Sequence, residues 1–253
     1  MIRRTSALAG AALGLSLVAQ QALAFDITDM SDAEREAFRS EVRAYLMENP
    51  EVILEAVDAL EQRQMAQQAE ADNDLVANNA EAIFEDGYSW VGGNPDGDIT
   101  VVEFMDYRCG YCRRAKEEVE ELVESDGNIR FVLKEFPILG EASTLASRFA
   151  IATRRVAGDE AYKSVHDALM TLSGDPTEPV LTRMANTLGL NADAIMTEMN
   201  SPDIDEEIAE VRALAQTLQI NGTPTFVMGD ELVRGYVTLD QMRQIVADER
   251  EAG

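Results

Sequence analysis

Cysteine, histidine, tryptophan and basic side chains are all scarce in this 253-residue chain. It has two cysteines, one histidine and one tryptophan. Two cysteines are too few for a disulfide-stapled scaffold, so the fold must be held by its core. One histidine beside two cysteines leaves a closed zinc site short of ligands. Lys and Arg number 21 against 47 Asp and Glu, a formal net charge of −26. Phosphate contacts would lack cationic partners, which excludes nucleic acid and, by the same argument, anionic lipid. The acids are spread along the whole chain, a pattern that serves solubility. No long Pro-, Gly- or Ser-rich tract is present, and the 46% hydrophobic content describes a globular chain of one or two domains.

Long apolar runs are also lacking, with one short exception at the start. Arg3 and Arg4 precede the apolar stretch Ala7 to Ala19, and Ala22-Leu23-Ala24 is an A-x-A cleavage site. Residues 1–24 therefore read as a secretory signal peptide, too short to be a spanning helix. Nothing later is apolar enough to span, so no membrane insertion is expected once the leader is removed. The expected destination is the periplasm, outside the reducing cytosol, where disulfides form and persist.

Residues 25–86 have few glycines and no strand-like alternation. Ser31 and Glu34 form a capping box, and Phe38, Val42, Tyr45 and Leu46 follow at helical spacing. Asn49-Pro50 starts a second helix carrying Val52, Ile53, Ala56, Val57 and Leu60. From Glu61 to Asp74 the chain is rich in Gln, Ala and Glu, which predicts an exposed helical stalk. Apolar stripes without strands need a partner surface, and self-association of this segment is the preferred reading over a hairpin folded on its own domain.

Residues 87–253 alternate strand and helix patterns. Gly92 to Gly97 reads as a turn. Ile99 to Met105 reads as a central strand, apolar on both faces except at Glu103. Arg113 to Glu124 reads as a helix and Ile129 to Phe136 as the next strand. Helical pieces fill about 141–218, broken at Gly158, Gly174-Asp175-Pro176 and Gly189. A hairpin around Gly229-Asp230 and a closing helix from Leu239 complete an α/β domain with a helical insertion.

Both cysteines lie in Cys109-Gly110-Tyr111-Cys112, where a strand hands over to a helix. A thiolate at a helix N-terminus meets unpaired N–H groups and the positive end of the dipole, so its pKa falls. Cys109 is thus the expected nucleophile and Cys112 the resolving thiol. A loop this small is a poor structural staple. Soft Cu(I) could bind the same thiolates with a methionine such as Met105 assisting, which keeps a copper-binding protein as the rival class. His166 lies on a helical stretch far along the chain, where a packed or surface histidine is a better reading than the base of a Cys–His hydrolase. Glu103 is an acid in an apolar strand, costly unless paired or protonated.

The run Val102 to Cys112, the segment Lys134-Glu135-Phe136-Pro137-Ile138-Leu139-Gly140 and the loop Gly222-Thr223-Pro224-Thr225-Phe226 together resemble the DsbA-like branch of the thioredoxin superfamily. The resemblance implies a thioredoxin-like α/β fold with an inserted helical subdomain. It implies a cis-proline loop facing the cysteines, with Thr223 and Pro224 contacting an extended client peptide alongside Gly110 and Tyr111. It also implies that Glu103 is the buried acid that takes a proton from Cys112, with Lys134 on the adjacent strand as its partner. Phe38 to Leu46 with Glu48 to Ile53 is similar to the leader region of ScsC-type proteins, whose helical segment joins protomers, so a homo-oligomer is implied, with a trimer favoured. The Gly-Tyr dipeptide and the Thr before the proline resemble oligomeric isomerases rather than monomeric oxidases. The expected activity is that of a protein disulfide isomerase or reductase, with a net oxidase as the alternative in the same class. Disulfide-containing proteins are the implied clients and a membrane thiol reductase of the DsbD or ScsB kind the implied redox partner. No cofactor is required, since the dithiol is itself the reagent.

Overall fold

The computed structural model describes residues 30–252. The leader assigned to residues 1–24 lies outside the described residues. The chain divides at Leu60 into two compact units.

The N-terminal unit is built from helix α1 (Asp32–Glu48) and the first part of α2 (Glu51–Asn78). The capping box is present: Ser31 Oγ accepts from the Glu34 N–H at 3.3 Å, and the Ser31 N–H donates to Glu34 Oε2 at 2.9 Å. Asn49 closes α1 through its N–H to the Tyr45 carbonyl, 2.8 Å, and α2 begins after Pro50. No residue of α1 is buried. Phe38, Val42, Tyr45, Met47, Ile53, Leu54, Val57 and Leu60 are all exposed.

The second unit is centred on a five-stranded sheet. Its strands are β1 (Trp90–Gly93), β2 (Ile99–Met105), β3 (Ile129–Glu135), β4 (Thr225–Met228) and β5 (Glu231–Arg234), in the order β1-β3-β2-β4-β5. The β2 and β3 strands run parallel and every other pair antiparallel. Helix α4 (Gly110–Asp126) connects the parallel pair, as a parallel connection requires. Five helices, α5 (Glu141–Ala157), α6 (Asp159–Thr171), α7 (Glu178–Thr187), α8 (Ala192–Glu198) and α9 (Pro202–Thr217), form the insertion between β3 and β4, and α10 (Leu239–Ala252) closes the unit.

The strand period of two sorts the core into two layers. Val101, Met105, Phe131, Leu133, Phe226 and Met228 pack on one face with Ala115, Val119 and Leu122 of α4 and with Met242 and Val246 of α10. Val102, Phe104, Val132 and Val227 pack on the other with Val211, Leu214 and Leu218. Val76 of α2 and Ile83 of α3 (Ala80–Phe84) join this second layer, both fully buried. The exposed stalk expected over residues 61–74 therefore ends against the second unit, and the remainder of the 25–86 helical segment beyond it belongs to that unit's core. Asp72 seals the join, accepting from Arg234 Nη1 at 2.5 Å and Nη2 at 2.9 Å.

One strand was not anticipated. Gly92 and Gly93, expected in a turn, end β1, which pairs with β3 from Trp90↔Leu133 to Gly93↔Arg130. The turn itself is shorter, closed by the Gly97 N–H on the Asn94 carbonyl at 2.9 Å. A Cβ on Gly93 would collide with the Ile129 carbonyl, and its φ of 68° favours glycine. Close backbone approach, not flexibility, explains this glycine.

Candidate active site

Cys109 is the N-cap of α4, and Gly110 is its first helical residue. Cys112, one turn in, is fully buried, while Cys109 keeps 7% of its surface. Both are free thiols. The Thr223–Pro224 peptide bond is cis, and the Cys109 thiol donates to the Thr223 carbonyl at 3.1 Å. The sequence separates these two residues by more than a hundred positions, and the β2–β4 pairing brings them together. Tyr111 is 61% exposed beside them. Its ring lies 6.1 Å from that of Tyr236, which Arg114 covers at 4.6 Å. Tyr236, two residues beyond β5, carried no motif that could have singled it out.

The two thiols are pushed in opposite directions. The hydrogen bond from the Cys112 thiol, helped by Thr223 and by the N–H groups of Cys112 and Tyr111, overcomes burial and pulls Cys109 down to about 5. Burial first, then the bond to Cys109 and the nearby Glu103 carboxyl, push Cys112 well above the ordinary thiol range. The pair thus presents an ionised sulfur at the mouth and a protonated one beneath it.

Glu103 lies below the thiols with 3% of its surface exposed, and its Oε1 has no hydrogen-bond partner. Burial, then the Cys109 charge, raises it to about 8. Glu103 also lines a cavity of about 360 Å³ whose walls include Trp90, Lys116, Val119, Phe131 and Lys163.

Lys134 does not partner Glu103. Glu103 pairs in register with Leu133, and Lys134 with Phe104, so the two side chains leave opposite faces of the sheet. Lys134 Nζ instead donates to Asp86 Oδ2 at 2.5 Å, to the Ala82 carbonyl at 2.9 Å and to Ser89 Oγ at 3.4 Å. Its head is fully buried and that of Asp86 nearly so. Its expected place in the active site is therefore replaced by a structural one, tying α3 and the following loop to the sheet. Replacing Lys134 with Met should destabilise the fold by about 3–5 kcal/mol, because Asp86 would keep a buried, uncompensated charge. Urea unfolding checks this, and the Cys109 thiolate titration should stay in place.

His166 is also structural. It is 6% exposed, lies against Tyr107 and Tyr162, and its Nδ1 is 3.3 Å from the Tyr107 hydroxyl. Burial lowers it to about 4, so it is neutral across the physiological range. Among the described residues no group of three or more His, Cys, Asp and Glu side chains is arranged to hold a metal ion.

The family model described as a DSBA-like thioredoxin domain matches residues 100–247, which hold four of the five strands, both thiols and the cis-proline loop. This chain belongs to the DsbA-like thioredoxin family. A second model, described as the copper resistance protein ScsC N-terminal domain, matches residues 34–67. Among solved structures, the DsbA-like chain is similar to a thioredoxin-like oxidoreductase from Silicibacter pomeroyi DSS-3, with 44% identity and a TM-score of 0.64 over 68% of this chain and 98% of that one. It is also similar to ScsC of Proteus mirabilis in a transitional conformation, with 26% identity and a TM-score of 0.64 over 89% of this chain and 99% of that one. Among curated relatives, the Na(+)/H(+) antiporter NhaA 1 of Salinispora arenicola is 28% identical over 156 residues, 62% of this chain. The DsbA-like chain spans about a quarter of such antiporters, 24% of that one. No described helix is long and apolar enough to cross a membrane.

Proposed function

We propose that this protein is an exported thiol–disulfide oxidoreductase that acts on proteins chiefly as a disulfide isomerase or reductase. The observation that carries the reading is the Cys109 sulfur, held down to about 5 and lying 3.1 Å from the carbonyl before Pro224. The Cys109 thiolate attacks a client disulfide, forming a mixed disulfide and releasing one client thiolate. In isomerisation a client thiolate then attacks the mixed disulfide, and no electrons are lost overall. In reduction the ionised form of Glu103 takes the proton of Cys112, whose thiolate attacks the Cys109 sulfur of the mixed disulfide, releasing the reduced client and leaving a Cys109–Cys112 disulfide. A membrane thiol reductase of the DsbD or ScsB kind would restore the dithiol. Gly110 lets a client approach the helix end, and Tyr111, Thr223 and Pro224 line the approach. The dithiol is the only redox reagent needed.

Export to the periplasm through cleavage after Ala24 completes the reading. The apolar residues exposed on α1 and early α2, within a segment similar to the ScsC N-terminal domain, support a homo-oligomer, with a trimer favoured. Several sites around one client raise the effective thiol concentration.

Net oxidation is the second reading, because a strongly stabilised Cys109 thiolate also makes the disulfide form a good oxidant. Reactivation of scrambled ribonuclease by the reduced protein, run beside oxidation of reduced ribonuclease by the disulfide form, separates the two. Scrambled enzyme should regain activity faster. Tight Cu(I) binding with no response from either client would overturn the enzyme reading. Light scattering should give several subunits for the mature protein and one after removal of residues 25–60. That cut spares Val76 and Ile83, which the catalytic core needs. Equal monomer masses would sink the oligomer.

A further inference from the structure

Three consecutive residues before Cys109 each anchor a different part of the second unit. The Tyr107 hydroxyl donates to buried Glu135 at 2.7 Å. Arg108 reaches the Gly174 carbonyl and the Asp175 carboxylate. Asp106 is the most fully engaged of the three. It is completely buried, yet it forms no salt bridge among the described residues. Its charge is satisfied by backbone N–H groups: Oδ1 accepts from Arg108 at 2.7 Å, and Oδ2 accepts from Ile138 at 2.8 Å and Leu139 at 3.0 Å. Its own carbonyl accepts from the Cys109 N–H at 3.0 Å. One residue therefore joins the nucleophile's turn to the loop after β3. Arg212 Nη2 holds the far side of that loop through the Pro137 carbonyl, 2.7 Å.

The loop offers solvent two apolar side chains, Ile138 and Leu139, 38% and 52% exposed. Their N–H groups are both spent on Asp106, so a client finds no main-chain donor at these two residues and meets their side chains. We propose that Asp106 is a positioning residue that fixes this apolar pair relative to Cys109, so that protein clients find a preformed rim and small disulfides do not need it. Ordering the loop before the client arrives removes that entropy cost from binding. Asn at this position has nearly the same shape but replaces one acceptor oxygen with a donor, so it must drop either the Arg108 bond or the loop bonds.

The inference rests on the proposed action on protein disulfides, and its test keeps the two separable. The full mature protein, Asp106→Asn and Ile138→Ser/Leu139→Ser are each assayed on scrambled ribonuclease and on a small aliphatic disulfide. The ratio of kcat/KM for protein to small disulfide should fall about tenfold in both variants, mostly through KM. A folded variant in which both activities fall together and the ratio stays the same would overturn the proposal. If Asp106→Asn does not fold, the double serine variant, which keeps the clamp, decides: an unchanged client KM overturns it. A wild type that turns over only the small disulfide would sink the protein-client reading and this inference with it. A wild type active on both, with unchanged ratios in the variants, sinks the inference alone.

Discussion

Cys112→Ser should accumulate client proteins as mixed disulfides on Cys109, whereas Cys109→Ser should stop exchange altogether. The burial of the two sulfurs makes the roles unequal. Cys109 holds the N-cap and the mouth of the site, and Cys112 is sealed beneath it with its pKa driven upward. Only Cys109 is ionised when a client arrives. Loss of a covalent nucleophile should lower client turnover on the order of 10³-fold or more. In Cys112→Ser the first attack survives, but the internal escape route does not, so the adduct persists until an external thiol arrives. Non-reducing electrophoresis of the two variants with scrambled ribonuclease reads this directly. Adducts on Cys109→Ser but not on Cys112→Ser would reverse the assignment. With Cys109 titrating at about 5, attack should be nearly independent of pH above 6 and fall tenfold for each unit well below 5.

Glu103→Gln should make the protein more stable, and more so as pH rises. The carboxyl titrates at about 8 in the fold against an ordinary 4.5, because it is buried with an oxygen unpartnered. A raised pKa on an acid means that the folded state holds a proton the unfolded chain has released. The cost of ionisable Glu103 is therefore absent below pH 4.5, grows by about 1.4 kcal/mol per unit up to pH 8, and is constant above that. At pH 7 it amounts to about 3 kcal/mol. Gln never carries the charge, so urea unfolding of the reduced proteins should give similar stabilities at pH 4 and a clear gain for Glu103→Gln at pH 8. A difference that does not change with pH would contradict the buried-acid reading. The same variant should release mixed disulfides more slowly, since Cys112 loses its proton acceptor. A stabilising change that slows turnover is the mark of a residue kept for chemistry.

The elements legible in the sequence rest on local signals with a mechanism. Ile99 to Met105 was legible as a central strand because apolar residues occupy both faces, and β2 spans the same residues. The helix breaks at Gly158 and near Gly174 and Gly189 follow from backbone demands, and α5, α6, α7 and α8 are separated at those places. The features that the sequence does not show share one cause. Trp90-Val91-Gly92-Gly93 is a strand through its pairing with β3, while its glycines locally signal a turn. The resemblance implies Lys134 as the acid's partner, but register places it on the other face of the sheet. A one-residue offset in a strand decides which layer a side chain enters, and neither residue alone carries that information.

Asp106 shows the same limit at the site. Nothing in Asp106-Tyr107-Arg108 indicates that one carboxylate would take N–H groups from both its own turn and a loop some thirty residues on. The sequence by itself determined the reagent: two thiols at a strand-to-helix turn, an acid six residues earlier, and a proline loop, all set by short-range patterning and helix-end electrostatics. Tertiary structure decided what surrounds that reagent. It placed Thr223 on Cys109, left Glu103 Oε1 unpartnered, sent Lys134 to Asp86 and tied the apolar loop to Asp106. Each of those outcomes depends on strand register and on the satisfaction of buried polar groups, which are properties of segments brought together rather than of any one segment.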